Sequence, residues 1–552
     1  MKFGKSATSA PEVIRLSPIT VFVGPNNSGK SVVLSEIQNY CVGNHQSAPN
    51  NKIIQSLGIT PFSRGEAEEL IEKYKIENEH SRTLPAGFVL FGRRPYQPVQ
   101  VPREQLIAAL TGPISLQRCQ WYLQHATLIL SGANRINLVN QQAMGDLRSG
   151  HPTSSFQVLF RDTAKRSEVR RVLYEAFAQH LVIDPSNGGH LRLVFSEREP
   201  TSEVEEQGLN EGALKYYREA TPIEITSDGV KAFTGIITEI VAGDPLVLVV
   251  DEPEAFLHPP LAFQLGNEMS RLTAKANKNL FVSTHSSHFV MGCIQSGVPV
   301  NIIRLTYRAG VATARVLDNK DVFRLMRNPL LRSTGVLNAL SYEFVVVTES
   351  DTDRAFYQEI NERLLRFSPS RGIPNCLFLN AQNKQTVKTI IRPLRELGIP
   401  AAAIVDVDII KDGGSEWSSF LKEGGFIPDI DCQALATSRK AVLDKFNATG
   451  KNMKKDGGID VLSASDKEAA NNLFDMLAKY GLFVLRRGEL ESWLSQLGAT
   501  GKGTNWLVEI FERMGEDPEA TGYVKPGTDD VWEFIAEMKQ WFDNPNRNGI
   551  PS

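Results

Sequence analysis

The segment GPNNSGKS, Gly24 to Ser31, constrains the fold of this chain more than any other stretch. It satisfies G-x-x-x-x-G-K-S at every position, follows the apolar run Ile19 to Val23, and leads into VVLSEIQNY. A strand, a tight glycine turn and a helix in that order form a phosphate cradle. Gly24 and Gly29 let the backbone curl so that its N–H groups face phosphate oxygens, with Asn26, Asn27 and Ser28 completing the curl. Lys30 can then reach the β- and γ-phosphates, and the Ser31 hydroxyl can ligate Mg²⁺.

Such a cradle needs a second strand that brings carboxylates to the metal and to the attacking water. LVLVVDEPEAFLHPP supplies five apolar residues, as a strand buried on both faces requires, and then Asp251 and Glu252. Asp251 is expected at the Mg²⁺ and Glu252 beside the water. The next apolar run, in NLFVSTHSSHFV, ends at His285, which is expected to sense or orient around the γ-phosphate; His288 lacks that support. Upstream, SDGVKAFTGIITEIVAG predicts a loop and a helix carrying Phe233, Ile236, Ile237 and Ile240 on one face.

Composition excludes several classes. The chain has 552 residues, a length that sets a prior of roughly three to four domains. Its 60 Lys and Arg against 63 Asp and Glu leave −3, so any nucleic-acid groove must be local rather than a general basic coat. The five cysteines contain no CxxC pair, which argues against a disulfide scaffold or a zinc ribbon. Apolar runs are too short to span a bilayer, and the N-terminus lacks an apolar leader core, so a cytoplasmic protein without a membrane partner is expected.

A second α/β series starts near Tyr342. FVVVTESD reads as a strand ending at Glu349, with Asp353 at the start of a helix. AAAIVDVD places Asp406 and Asp408 two residues apart, so strand period sets both carboxylates on one side. RRGELESWL adds Glu489 and Glu491. Acids at the carboxyl ends of parallel strands lie where open α/β sheets place their sites. Gathered carboxylates repel unless a cation neutralises them, and hard divalent cations take several oxygen ligands. Lys384, Lys388, Arg486 and Arg487 are candidates to balance a phosphate there. Turn formers mark a break at Ser47 to Asn51, the junction between the two series falls around Arg332 to Ala339, and Asn544 to Ser552 reads as a frayed tail.

GPNNSGKS, LVLVVDEPEAFLHP and STHSSH together resemble the ATPase domain of the ABC superfamily, in the branch of SMC, RecF and Rad50-like proteins. That resemblance implies a signature loop at ITSDGVKAF, where Ser227, Gly229 and Lys231 would approach the γ-phosphate of a partner subunit's ATP. The family's fuller LSGGQ pattern is reduced here to S-D-G-V-K. Gln141 or Gln142 would supply the glutamine that completes such a site. No coiled-coil heptad block separates the loop from the Asp-Glu strand, so a long-armed tether is excluded.

The second series resembles the Toprim domain, with Glu349 as its strand-ending glutamate and Asp406 with Asp408 as its D-x-D pair. ATPase followed by Toprim resembles the OLD (overcoming lysogenisation defect) family. The implied protein is an ATP-binding and ATP-hydrolysing nuclease, dependent on Mg²⁺ or Mn²⁺, that cuts DNA in anti-phage defence, with ATP left open as activator or inhibitor of cutting. Glu349, Asp353, Asp406, Asp408, Glu489 and Glu491 would hold its metals. The implied organisation is an ABC-type P-loop ATPase domain over 1–335, with a poorly matched insert at 42–220, then a Toprim domain with a tail over 336–552. A homodimer or higher homo-oligomer through the ATPase domains is implied, and an accessory protein or RNA is an open requirement. Two alternatives compete: a toxin-like effector cutting RNA or tRNA, and a non-cleaving, RecF-like, ATP-gated DNA-binding protein.

Overall fold

The computed structural model describes residues 2–4, 11–43, 52–76, 84–93, 98–132, 134–147, 152–308, 311–317, 322–323, 327–329, 331 and 335–550. The break at Ser47 to Asn51, and residues 332–334 of the expected junction, lie outside them. Two compact units divide the chain, Met1–Asn319 and Lys320–Ser552, fewer than the length prior and with a boundary earlier than 335.

The first unit is built on a six-stranded sheet. In chain order its landmarks are β1 (Ile19–Val23), α1 (Lys30–Val42) and β2 (Thr127–Leu130). An inserted antiparallel sheet holds β3 (Gln142–Ala143), then α2 (Thr163–Phe177), β4 (His180–Asn187), β5 (His190–Ser196) and β6 (Thr221–Pro222). The main sheet resumes after α3 (Asp228–Val241), with β7 (Val247–Asp251), α4 (Pro259–Lys275), β8 (Asn279–Ser283), α5 (Ser287–Gln295), β9 (Val300–Arg308) and β10 (Val311–Leu317). Its strand order is β10-β9-β1-β8-β7-β2, parallel apart from the β9–β10 hairpin.

This order answers a question the motifs leave open. β8, which leads to His285, lies between β1 and β7, so the phosphate loop and the Asp-Glu strand flank it on either side. β1 is buried throughout and β7 is buried at its centre, as the apolar runs predict. Phe22, Val33, Ile37, Val249, Phe281 and Ile303 form the core between α1 and the sheet, and each such side chain contributes about 1.5–3 kcal/mol on burial. The helix predicted from Phe233, Ile236, Ile237 and Ile240 is α3, and all four residues are fully buried.

The second unit holds β11 (Phe344–Thr348), α6 (Asp351–Phe367), β12 (Cys376–Asn380), α7 (Lys384–Glu396) and β13 (Ala401–Asp406). It continues with α8 (Asp429–Ala448), α9 (Ala464–Ala478), β14 (Leu482–Leu485), α10 (Thr504–Met514) and α11 (Asp530–Asp543). The sheet is wholly parallel, in the order β12-β11-β13-β14. Phe356, Ile360 and Leu364 of α6 sit in a core with Trp506, Trp532 and Ile535 from α10 and α11.

Of the expected frayed tail, residues 544–550 are described, and Gly549 is docked. The Arg395 guanidinium is fully buried and donates to Gly549 O at 2.9 Å and to Ala401 O at 2.8 Å. Buried N–H donors demand acceptors, and Gly549 supplies one.

Candidate functional site

At the first site the turn after β1 needs conformations that side chains resist. Gly24 has φ +148° and Gly29 φ +93°, with Asn27 at φ +61° between them. A Cβ on Gly24 would stand 2.2 Å from Leu305 O, so only glycine fits there. Lys30 is buried and folds back, donating to Gly24 O at 2.9 Å and Pro25 O at 2.8 Å. Burial lowers its ammonium to about 8, against the pull of Glu252, Asp251 and Glu254. Two observations fit a polyphosphate in this cradle. The Ser28 hydroxyl is buried without a hydrogen-bond partner among the described residues, and α1 begins with neither a side-chain cap nor an acid in its first turn. Uncapped N–H groups at a helix N-terminus favour an anion. Ser31 and Asp251 supply the oxygen donors that a Mg²⁺ ion would take.

Parallel pairing places Asp251 opposite Ser283, whose hydroxyl donates to the Asp251 carboxylate. Glu252 then turns out of the strand at φ +49°, and its carboxylate stands 3.4 Å from His285 Nε2. Burial, and then Lys30, hold the His285 imidazole below its usual range, with Glu252 and Asp251 opposing. The ring thus favours its neutral form, which can accept or relay a proton. Lys30, Asp251, Glu252 and His285 therefore share one electrostatic neighbourhood, as their motifs require.

Two residues of this site lie outside the motif reading. Arg135 is buried and donates to the backbone oxygens of both Asp251 and Glu252, clamping the turn that orients the two acids. Glu254 Oε1 accepts from Thr284 Oγ1 at 2.6 Å, from His285 N at 3.1 Å and from Ser286 N at 3.3 Å. Burial raises the Glu254 carboxyl above its usual range. Its place in DEPEAF, two residues after Glu252, was a signal that could have found it.

Ser227 caps α3 by accepting from Val230 N at 3.4 Å, and Lys231 pairs with Asp228 at 3.4 Å. Gly229 lies against the turn after β7, where a Cβ would come 2.6 Å from Phe256 O. Gln141 and Gln142 belong elsewhere. Gln142 lies on β3 and bonds Ser155 and Phe156 of the insert, while Gln141 accepts from Asn187 at 2.7 Å. Both are tied to the insert by these bonds.

In the second unit the acids collect at the carboxyl end of the parallel sheet. Glu349 follows β11, and its Oε1 accepts the Asp406 N–H at 2.9 Å. Asp353 closes a capping box with Ser350, accepting Ser350 N at 2.9 Å. Strand period does not place the D-x-D pair. β13 ends at Asp406, and residues 407–411 turn into a 3₁₀ helix that carries Asp408. The short helix still leaves Asp408 close enough to raise both Asp406 and Glu349. Burial and then Asp406 hold the Glu349 carboxyl above its usual range. Burial also raises Asp406, with Asp353 and Asp408 adding to it and Lys454 opposing. Burial raises Asp353, and Glu491 adds to that. Glu491 also accepts Gly503 N at 2.9 Å, whereas Glu489 faces Lys502 at 3.6 Å.

Four carboxylates from two strand ends are the hard-oxygen donor set of a divalent cation, and Asp408 Oδ1 is buried without a partner among the described residues. Among those residues, however, no three acids, histidines or cysteines are drawn together tightly enough to hold a metal ion. Of the expected basic groups, Lys384 reaches Asp408 at 3.7 Å and Asp412 at 3.2 Å. Lys388 pairs with Glu416, Arg486 with Asp475 and Arg487 with Asp530. A second cation, outside the expected set, also meets the cluster: Lys454, whose Nζ lies 2.5 Å from Asp406 Oδ2.

Among the described residues no helix is long and apolar enough to cross a membrane. A family described as "AAA domain, putative AbiEii toxin, Type IV TA system" matches residues 137–291, a span that includes Asp251, Glu252 and His285. No curated protein matches the chain. Among solved structures, an SmcHead bound to the C-winged helix domain of ScpA is 16% identical, with TM-score 0.33, covering 58% of this chain and 97% of that one. The SMC head domain from Thermotoga maritima is 13% identical, with TM-score 0.28, covering 57% and 96%. The cbiO1 protein from Clostridium perfringens, part of the ABC transporter complex cbiONQ, is 14% identical, with TM-score 0.26, covering 59% and 95%. Likenesses of this strength assign no role to any residue.

Proposed function

We propose that this chain is an ATP-controlled, toxin-like effector whose second unit acts on nucleic-acid phosphodiesters, with RNA as the foremost substrate. The first unit is an α/β sheet with a phosphate-loop turn, and Lys30, Asp251, Glu252 and His285, which share one electrostatic neighbourhood, are the groups that would bind and hydrolyse ATP. The effector reading is supported by the family description, which names a toxin. One observation carries the second unit's part: the Asp406 N–H to Glu349 bond, which joins acids from the ends of two parallel strands.

In the first unit, Glu252 would take a proton from water and His285 would relay it, while Lys30 would draw charge from the phosphates; the 3.4 Å approach of Glu252 to His285 and the buried Lys30 support this. In the second, Glu349, Asp353, Asp406 and Asp408, with Glu491 near Asp353, are the groups that would hold Mg²⁺ or Mn²⁺. A bound pair of such ions would ready a water and stabilise a leaving oxygen. The chain's own contribution is to hold the acids in register, with Ser350 fixing Asp353 and the Asp406 N–H fixing Glu349. Pairing of two copies through Ser227 and Gly229 belongs to the same proposal.

A second reading, an ATP-gated protein that binds nucleic acid without cutting it, is favoured by Lys454 on Asp406 and by the absence of a closed ligand set among the described residues. One panel separates these readings. The full chain is incubated with total RNA, supercoiled DNA and linear DNA, with Mg²⁺ or Mn²⁺ and with or without ATP. RNA cleavage lost in Asp406→Ala supports the effector. Cleavage confined to DNA restores the nuclease implied by the OLD resemblance. ATP turnover stimulated by nucleic acid without any cleavage points to the binding protein.

A further inference from the structure

Three helices of the first unit close around a cavity of about 380 Å³, where α2 of the insert meets the ends of α3 and α4. Ala164 lines it from α2, Ile240 and Val241 from the last turn of α3, and Leu272 and Ala276 from the end of α4. Four charged residues complete the lining, which among the described residues holds no aromatic ring, amide or hydroxyl side chain. Both acids are engaged. Asp162 caps α2 by accepting Lys165 N at 3.1 Å, and Glu168 pairs with Arg271 at 2.6 Å and Arg171 at 3.6 Å. Lys275 keeps a 3.8 Å contact to Glu168, whereas the Lys165 ammonium has no ion pair or hydrogen bond among the described residues. Behind the wall, Lys278 donates to Ile240 O at 2.7 Å. Burial above all lowers its ammonium; Asp244 and Glu239 oppose this, and the Lys165 charge adds to it. Lys165 and Lys278 therefore repel, and a negative group beside Lys165 would relieve both.

We propose that this cavity is a binding site for a medium-length aliphatic carboxylate, its chain laid on Ile240, Val241 and Leu272 and its carboxylate held by Lys165 with Lys275. The volume is that of a small-molecule site. Charge selects the anion, because the acids of the lining are already paired and Lys165 is not. The wall selects the chain: an alkyl body buried there gains about 25 cal/mol per Å² and strands no polar group. A nucleotide or a peptide would bring polar groups to a wall that offers them no partner. A polar hollow of about 480 Å³, to which Arg161 and Thr163 contribute, adjoins the cavity and shares Asp162 and Lys165 with it. The carboxylate at Lys165 thus keeps contact with water, which spares it most of the cost of burial. The site shares no residue with the nucleotide turn or with the acids of the second unit, so it stands apart from both.

The test is calorimetric titration of the full chain with decanoate. Decyltrimethylammonium, of equal chain length and opposite charge, should bind roughly tenfold more weakly or worse. Lys165→Met should weaken decanoate by roughly fivefold or more, while Lys165→Arg keeps most of the affinity. Ala164→Trp fills the cavity from the exposed side of α2, and Ala276→Trp fills it from the end of α4; each should abolish decanoate binding at an unchanged melting temperature. Equal binding of the two amphiphiles, or unchanged decanoate affinity in Lys165→Met, overturns the inference. Binding that survives both tryptophans places decanoate elsewhere and overturns it too, as does the absence of any binding to the parent chain.

Discussion

The Asp406 backbone N–H donates to the Glu349 carboxylate at 2.9 Å, tying the exit of β13 to the exit of β11. A glutamine at 349 keeps an oxygen acceptor for that bond and removes one of the crowded negative charges. Glu349→Gln should therefore leave the melting temperature unchanged or raise it by about 2–4 °C, while Mn²⁺ affinity at the cluster falls roughly tenfold or more. Glu349→Ala leaves a buried N–H without its acceptor and should cost about 1–3 kcal/mol. Thermal melts beside Mn²⁺ titrations of both variants check this. A Glu349→Gln protein that binds Mn²⁺ like the parent removes Glu349 from the cation site.

At the nucleotide site, binding and turnover should separate by residue. Lys30→Ala removes the ammonium that the Gly24–Ser31 turn encloses and should abolish ATP binding. Glu252→Gln keeps the turn and its packing but loses the proton acceptor beside His285. It should hold ATP within about threefold of the parent and lower turnover by about 10²-fold or more. Binding of a fluorescent ATP analogue, set against phosphate release, distinguishes the two. Full turnover in Glu252→Gln would place the base elsewhere.

Glu254 acts through the loop that carries His285. One of its oxygens accepts from Thr284, His285 and Ser286, so the carboxylate fixes the backbone that carries the imidazole. Glu254→Gln retains that oxygen and should change turnover by less than about threefold. Glu254→Ala leaves buried donors unpaired, at a cost of about 1–3 kcal/mol, and should lower turnover at unchanged ATP affinity. Equal losses in both variants would mean that the charge, and not the loop geometry, is what counts.

Legibility in the sequence followed how local each signal is. The phosphate loop, Asp251-Glu252 and His285 are contiguous motifs at strand ends, and the parallel sheet delivers such ends to one edge, so reading them needed little tertiary knowledge. The same holds for Glu349 and Asp406. Strand period would put Asp408 beside Asp406, but β13 stops two residues short of Asp408. Nothing in the sequence shows that the short β3, which holds Gln142, pairs with β5 of the insert. Arg135 and Lys454 were invisible for a related reason: a lone basic residue in a turn reads as solvated charge, and only tertiary packing shows Arg135 on the Asp251-Glu252 backbone or Lys454 on Asp406. Arg395 likewise gives no hint that its guanidinium is buried and holds Gly549.

Lys278 offers a pH test of the first unit's packing. Its ammonium is buried, donates to Ile240 O at 2.7 Å and Gly243 O at 3.1 Å, and is lowered by burial from 10.5 to about 8. The folded chain thus releases this proton more readily than the unfolded chain does. Between about pH 8 and 10.5 the unfolded state binds more protons at this position, so stability rises with pH across that window. Below pH 8 both states carry the charge, and the full desolvation penalty applies. Lys278→Met removes the titration, although it strands two carbonyl oxygens. The stability difference between parent and variant should therefore move in the parent's favour by about 2–3 kcal/mol from pH 7.5 to 10.5, other groups cancelling in the comparison. Urea unfolding of both proteins at the two pH values measures it. A difference that stays constant across the window would show that Lys278 keeps an ordinary affinity for its proton in the folded chain.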